Sequence, residues 1–254
     1  MAYTVFPPPF HTPDCVTEQI RNCGYAVLKP ADTAVWLGCT PDELQAMVMD
    51  WESLPADEFL KDGGRYRFRR HASFRVQEQQ VQLVAHRAHW QPVQYNALHG
   101  GMERWFAPML ARTLAMPAWY RLLERLAHLS QTLFASSVHD PCFVEAHQFR
   151  INTANGIGRP TPEGAHRDGV DLVAVFLVGR NHIKGGETRI FEASGPSGLR
   201  FTLTQPWSLM LLDDARMIHE STPIQPLDAQ HIGIRDTLVI TCRRHGFQGD
   251  KMPI

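Results

Sequence analysis

His166-Arg167-Asp168-Gly169-Val170-Asp171, running into the apolar stretch Leu172–Val178, decides how this 254-residue chain is read. Side chains of an extended segment alternate between its faces, so positions 166 and 168 present an imidazole and a carboxylate on the same side. His219 follows fifty-one positions after Asp168, where a later strand can bring in a second imidazole. Two His and one carboxylate on one face of a metal leave three coordination positions open. That donor set suits Fe(II) with a co-substrate and O2 bound side by side, whereas zinc favours a closed tetrahedron or a single open position. A lone His-x-Asp pair arises by chance in a chain with 13 His, so its weight comes from its surroundings.

Downstream of residue 142, short β-type runs broken by turn residues dominate. They are Phe143–Ile151, Val170–Val178, Thr188–Phe191, Leu199–Thr204, Ser208–Leu212 and Arg235–Cys242, with Gly185-Gly186 turning the chain. Upstream, Thr40-Pro41-Asp42-Glu43 followed by Leu44, Met47, Val48 and Trp51 predicts a helix start with Thr40 as N-cap and Pro41 in the first turn. Asp62-Gly63-Gly64 turns into an Arg-rich strand over 65–75. Residues 101–136 carry helical periodicity: Met102, Trp105, Phe106, Met109, Leu110 and Leu114 form one stripe, and Trp119, Leu122, Leu123 and Leu126 form another. Pro117 separates the two helices. Many short strands with Gly and Pro turns point to a sandwich or barrel. The expected fold is α+β, a double-stranded β-helix (jelly roll, cupin-like) with N-terminal helices packed against it. Residues 1–254 read as a single domain, with 1–137 mainly helical apart from the strand near 65–75, and 138–248 forming the metal-binding β-helix. The aromatic-rich helices suit either a homodimer interface or the back of the barrel.

Bulk properties exclude several classes. Basic and acidic residues nearly cancel, 25 against 26, which leaves no electrostatic footprint for nucleic acid or an anionic membrane. No apolar run approaches the roughly 20 residues a membrane-spanning helix needs. The five Cys (Cys15, Cys23, Cys39, Cys142, Cys242) are scattered without a C-x-x-C and read as reduced thiols. The opening MAYTVFPPPF has no basic segment leading into an apolar one, so a cytoplasmic location is expected.

Asp213-Asp214-Ala-Arg-Met-Ile-His219 ends one β-run and presents the second imidazole, and sixteen residues on Arg235-Asp236-Thr237 opens the next. Arg235 and Thr237 share a face. A guanidinium directed into a barrel requires an anion, and the distal carboxylate of a dicarboxylate would satisfy it bidentately, with Thr237 adding a neutral hydrogen bond. On the outer face the same Arg would be solvated.

His166, Asp168, His219, Arg235 and the β-rich frame together resemble Fe(II)/2-oxoglutarate-dependent dioxygenases. Arg159-Pro-Thr-Pro-Glu-Gly-Ala-His166-Arg-Asp168-Gly-Val-Asp171, with Gly179-Arg180 and Gly185-Gly186-Glu187, resembles the bacterial free-amino-acid dioxygenases, the group of L-isoleucine dioxygenase and the BsmA-like proteins. The likeness runs over about 60–248. It implies Fe(II) on His166, Asp168 and His219, and 2-oxoglutarate held through its C5 carboxylate by Arg235 with Thr237 alongside. It also implies O2 as the second co-substrate and hydroxylation of an unactivated C–H bond in a small molecule, a free L-amino acid by this likeness. The spacing from His219 to Arg235 is longer than is common in the wider superfamily, and Arg243 and Arg244 stand as substitutes for the clamp.

Further candidates lie nearby. Gln148 and Arg150 share one face of the run before the metal pair, and His147 and Phe149 the other. Were the first face inward, Gln148 would reach 2-oxoglutarate and Arg150 a substrate carboxylate. Arg67, Arg69 and Arg75 share a face of the Arg-rich strand, and Arg69 is a candidate for a substrate α-carboxylate, set against a solvated basic edge. Asp171 is a candidate for a substrate ammonium, ahead of Glu187. Asp213 and Asp214 read as turn residues pairing with Arg216. Two other functions are compatible with the same residues: a metal-dependent hydrolase or isomerase on a cupin-like barrel, and a non-catalytic metabolite-sensing barrel linked to biofilm or stress response.

Overall fold

The computed structural model describes residues 5–250. Helices α1 (Val16–Cys23), α2 (Pro30–Leu37) and α3 (Pro41–Ala46) come first, with strand β1 (Tyr25–Leu28) between α1 and α2. Strands β2 (Arg67–Gln77) and β3 (Gln80–Leu83) precede helices α4 (Ala111–Leu114) and α5 (Pro117–Leu133). The remaining elements are strands: β4 (Cys142–Asn152), β5 (Leu172–Asn181), β6 (Ile183–Gly185), β7 (Thr188–Glu192), β8 (Gly198–Phe201), β9 (Leu209–Asp213), β10 (Met217–Ser221), β11 (Ile224–Pro226) and β12 (Ile234–Arg243).

A seven-stranded sheet in the order β1-β9-β5-β12-β4-β2-β3 faces two short ones, β10-β7-β8 and β11-β6. This is the antiparallel jelly-roll frame of a double-stranded β-helix. Period-2 alternation assigns its two faces. Even positions of the central strands, such as Val144, Ala146, Phe176, Leu238 and Ile240, pack under α5 through Trp119, Leu122, Leu123 and Leu126. Each large side chain withdrawn from water there contributes about 2 kcal/mol. Odd positions Val173, Val175 and Leu177 of β5 meet Ile190, Phe201 and Met217 of the smaller sheet. Burial on both faces explains why the run through β5 is continuously apolar instead of alternating. No helix among the described residues is long and apolar enough to cross a membrane.

Local signals account for several elements. Thr40 caps α3 as expected: its Oγ1 accepts from Glu43 N at 3.2 Å, and Glu43 Oε2 accepts from Thr40 N at 2.8 Å. Pro117 opens α5 at its first turn. Residues 101–110 depart from the expected helix. His89 pairs with Arg104 and His71 with Pro108 in isolated bridges, so that backbone is extended and drawn to the sheet edge. Phe106 is buried against the site while Trp105 is 54% exposed, which no single helical stripe would give. The first 137 residues are also less purely helical than expected, since β1, β2 and β3 supply three of the seven strands of the large sheet.

Candidate active site

The open interior between the sheets is a cavity of about 120 Å3. Odd positions of β4 (Glu145, His147, Phe149, Ile151) and of β12 (Arg235, Thr237, Val239, Thr241) face it, as do Arg67 and Arg69 of β2. His166, Asp168 and His219 close one wall.

His166 and Asp168 lie on irregular backbone instead of in a strand, and a bridge supplies the alignment. His166 N donates to His219 O at 3.0 Å and His219 N to His166 O at 2.9 Å, so the two imidazoles project together. His166 Nε2 is 3.7 Å from Asp168 Oδ1, and His219 Nε2 is 3.7 Å from Asp168 Oδ2. Two donors about 2.1 Å from one ion are at most about 4.2 Å apart, so a single ion spans either pair. Gly164 O accepts from His166 Nδ1 at 2.9 Å, which assigns the proton to Nδ1 and leaves the Nε2 lone pair toward the other two groups.

Neighbours hold Asp168 in place. Gln91 Nε2 donates to Asp168 Oδ1 at 3.1 Å, while Gln91 Oε1 accepts from Arg104 Nη2 at 2.8 Å and Asn96 Nδ2 at 3.1 Å. Those two donors fix the orientation of the Gln91 amide. The Asp214 carboxylate accepts from the backbone N–H groups of Asp168, Gly169 and Val170 at 2.9, 2.7 and 3.1 Å. Asp214 is therefore a clasp for the loop that carries His166 and Asp168, and Arg216 pairs elsewhere, donating to the carbonyls of Ile20, Arg21 and Asn22 at the end of α1.

Electrostatics at this wall call for a cation. Burial opposes charge on His166, yet the Asp168 and Glu163 carboxylates beside it raise its pKa. Burial and the His166 charge lower His219 to about 4. Burial and the Asp168 charge push Asp214 up to about 7. A dication between two imidazoles and a carboxylate would offset the carboxylate repulsion and use neutral imidazole, so the donor set fits a metal.

Across the cavity, Arg235 is 5% exposed, and its hydrogen bond to Ser221 Oγ is long, 3.4 Å. No carboxylate forms an ion pair with it among the described residues. Burial and the Arg180 guanidinium lower its pKa to about 10. A buried guanidinium lining a cavity without a counter-ion fits an incoming anion. Arg243 donates to the carbonyls of Gly246 and His245, and Arg244 pairs with Asp171 at 3.0 Å, so both substitutes are occupied elsewhere.

Three expected positions come out differently. Gln148 and Arg150 lie on the face turned away from the cavity. Gln148 is fully buried in the layer beneath the sheet, and Arg150 is paired with Asp236 and Glu52 at 2.8 and 2.7 Å. Strand pairing opposite Thr237 and Arg235 gives the interior to Phe149 and Ile151 instead. Asp171 is held by Arg244, its Oδ2 accepting the backbone N–H at 2.7 Å, and does not reach the cavity. Arg69 does line it, sandwiched between Phe106 and Phe149 with its Cζ 3.6 and 4.3 Å from the ring centroids. The sequence reading missed Glu145, Gln91, Arg104 and Glu163, which have no motif spacing. Glu145 alone carried a signal, two positions before His147 on the face that proves to be inward.

The family described as 2OG-Fe dioxygenase matches residues 49–241. The chain belongs to that family. A 2OG-Fe dioxygenase uses Fe(II), 2-oxoglutarate and O2, and the hydrolase and sensor readings fall with this assignment. A bsmA homolog from Methylobium petroleophilum PM1 is 49% identical, with 98% of this chain and 100% of that one aligned at a TM-score of 0.90. Two more distant structures share the fold of this dioxygenase. IDO from Bacillus thuringiensis is 16% identical, with 92% of this chain and 100% of that one aligned at a TM-score of 0.74. The Fe(II)/α-ketoglutarate-dependent dioxygenase TqaL is 18% identical, with 94% and 90% aligned at a TM-score of 0.71. No match is found among curated proteins.

Proposed function

We propose that this dioxygenase hydroxylates a free L-amino acid, with iron held by His166, Asp168 and His219 and the C5 carboxylate of 2-oxoglutarate held by Arg235. The observation that carries the iron and co-substrate assignment is the counter-ion-poor Arg235 buried in the same cavity as the two imidazoles and the carboxylate. The likeness to a bsmA homolog over nearly the whole chain supports the BsmA-like placement. The sharing of one sheet by strands from both halves supports reading the chain as one catalytic domain.

Iron, 2-oxoglutarate and O2 together supply an oxidant able to cleave an unactivated C–H bond, releasing succinate and CO2. The protein's part is orientation and exclusion of water. Gly164 O keeps the His166 proton on Nδ1, and Gln91 keeps one Asp168 oxygen directed. Arg235 donates its N–H groups to the distal carboxylate, with Thr237 on the same strand face. Val175, Val239, Met210 and Phe149 line the interior with apolar surface and keep a reactive oxidant from bulk water.

The test is succinate release from 2-oxoglutarate with Fe(II) and ascorbate under air, across the twenty L-amino acids. Stimulation by one class of amino acid, lost in Asp168→Ala, is the expected result. Tight 2-oxoglutarate binding with no stimulation by any of them would move the substrate to another class.

A further inference from the structure

We infer that Glu145 receives the ammonium group of the substrate, with Arg104 taking its carboxylate, so that the pair selects a zwitterion. This rests on the amino-acid reading above and names the residues that would enforce it.

Glu145 sits on the inward face of β4, buried at 7% exposure. His71 Nε2 lies 3.0 Å and His89 Nδ1 3.2 Å from its Oε1, and both contacts fall on that one oxygen. Burial opposes a charge on either imidazole and lowers both pKa values, so each donates as a neutral N–H. Glu145 Oε2 has no hydrogen-bond partner among the described residues and belongs to a side chain lining the cavity. An unpaired carboxylate oxygen open to a confined cavity is a ready acceptor for an incoming ammonium.

The arginines nearby do not account for it. Arg67 and Arg69 are served by Asp57, at 2.7 and 3.8 Å. Arg104 is beside Glu145 for a structural reason. It pairs with His89 in an isolated bridge, and bridged residues project side chains to the same face. Only its Nη2 is engaged, on Gln91, while Nε is buried without a partner. Arg104 therefore offers N–H groups next to an unpaired carboxylate oxygen, the two charges of an α-amino acid in mirror image.

His71, His89, Glu145 and His147 have their donor atoms within 4.8 Å of one another, which raises a second metal as an alternative. Proton assignment argues against it. A guanidinium only donates, so Arg69 Nη2, 2.7 Å from His147 Nδ1, makes that nitrogen an acceptor and puts the proton on Nε2. His71 and His89 also turn N–H groups to Glu145. On this assignment protons occupy positions where a metal needs lone pairs, and the Arg69 and Arg104 guanidiniums beside the cluster oppose a further cation.

Calorimetry on the Fe(II)- and 2-oxoglutarate-loaded enzyme without O2 tests this, comparing each L-amino acid that stimulates succinate release with its 2-hydroxy-acid counterpart. The wild type is expected to bind the amino acid roughly 100-fold more tightly. Glu145→Gln keeps an oxygen for the two imidazoles but turns an NH2 to the cavity. It is expected to erase the preference while leaving 2-oxoglutarate affinity unchanged. A variant that keeps the preference overturns the assignment, as does a wild type that binds both compounds equally, an arm that needs no variant to fold. If no amino acid stimulates the wild type at all, the substrate reading itself fails, and that is seen before any variant is made.

Discussion

Replacing Arg235 with glutamine should weaken co-substrate binding and stabilise the co-substrate-free protein at once. Arg235 is 5% exposed and burial with the Arg180 charge lowers its pKa from 12.5 to about 10, a penalty on the charged form of about 3 kcal/mol. Glutamine removes that charge and about one methylene of packing, worth about 0.8 kcal/mol. The net gain of about 2 kcal/mol corresponds to a rise of about 4–8 °C in melting temperature for a chain of this size. With 2-oxoglutarate present the balance reverses. Two charge-assisted hydrogen bonds to the distal carboxylate contribute about 1.5–3 kcal/mol each, so the variant should bind roughly 100-fold to 10,000-fold more weakly. Anaerobic calorimetry with Fe(II) reads the affinity, and thermal unfolding with and without 2-oxoglutarate reads the stability. A variant that binds 2-oxoglutarate within threefold of wild type would refute the clamp. A variant that melts lower without co-substrate would refute the idea that Arg235 lacks a counter-ion.

Gln91→Leu removes the donor to Asp168 and leaves Arg104 and Asn96 without their acceptor; Fe(II) affinity should fall about 10–100-fold, and equal titration curves for the two proteins would count against this positioning role. His89 is buried and neutral, with its pKa lowered from 6.5 to about 4 by burial. Between those values the unfolded chain binds a proton that the folded one does not, so stability falls as pH drops, by about 1.4 kcal/mol per unit. Urea unfolding from pH 7 to 5 should show a shallower slope in His89→Gln, and an unchanged slope contradicts the reading. Leu126→Ala, beneath the sheet, should cost about 2–5 kcal/mol of stability while leaving the affinity for 2-oxoglutarate intact; a linked loss of affinity would mean that the helical layer shapes the cavity.

The parts of this architecture written in local pattern were readable from sequence, and those written in pairing were not. The runs that became β4, β5, β7, β9 and β12 carry β-type composition between turn residues, and Thr40-Pro41-Asp42-Glu43 encodes its own cap, so each is decided within a few residues. The extended backbone at 101–110 is decided instead by His89 and His71, which draw it to the sheet edge over long sequence distances. Its apolar residues fit a helical stripe only because nothing local opposes one.

The candidate site divides the same way. His166, Asp168 and Arg235 stand out because two imidazoles with a carboxylate, and a guanidinium opening a β-run, are rare and chemically explicit. For β4 the sequence offers two faces of similar chemistry, Gln148 with Arg150 and His147 with Phe149, and period 2 alone cannot choose between them. The choice follows from β12: Arg235 pairs with Ile151 and Thr237 with Phe149, so the face that shares the interior with Arg235 is the odd one. Once that register is known, Glu145 is placed inward by parity alone, and its free oxygen becomes a statement about the substrate instead of about the fold. A single pairing thus separates an ion pair that only fastens the sheet, Arg150 with Asp236, from a carboxylate left open to the cavity.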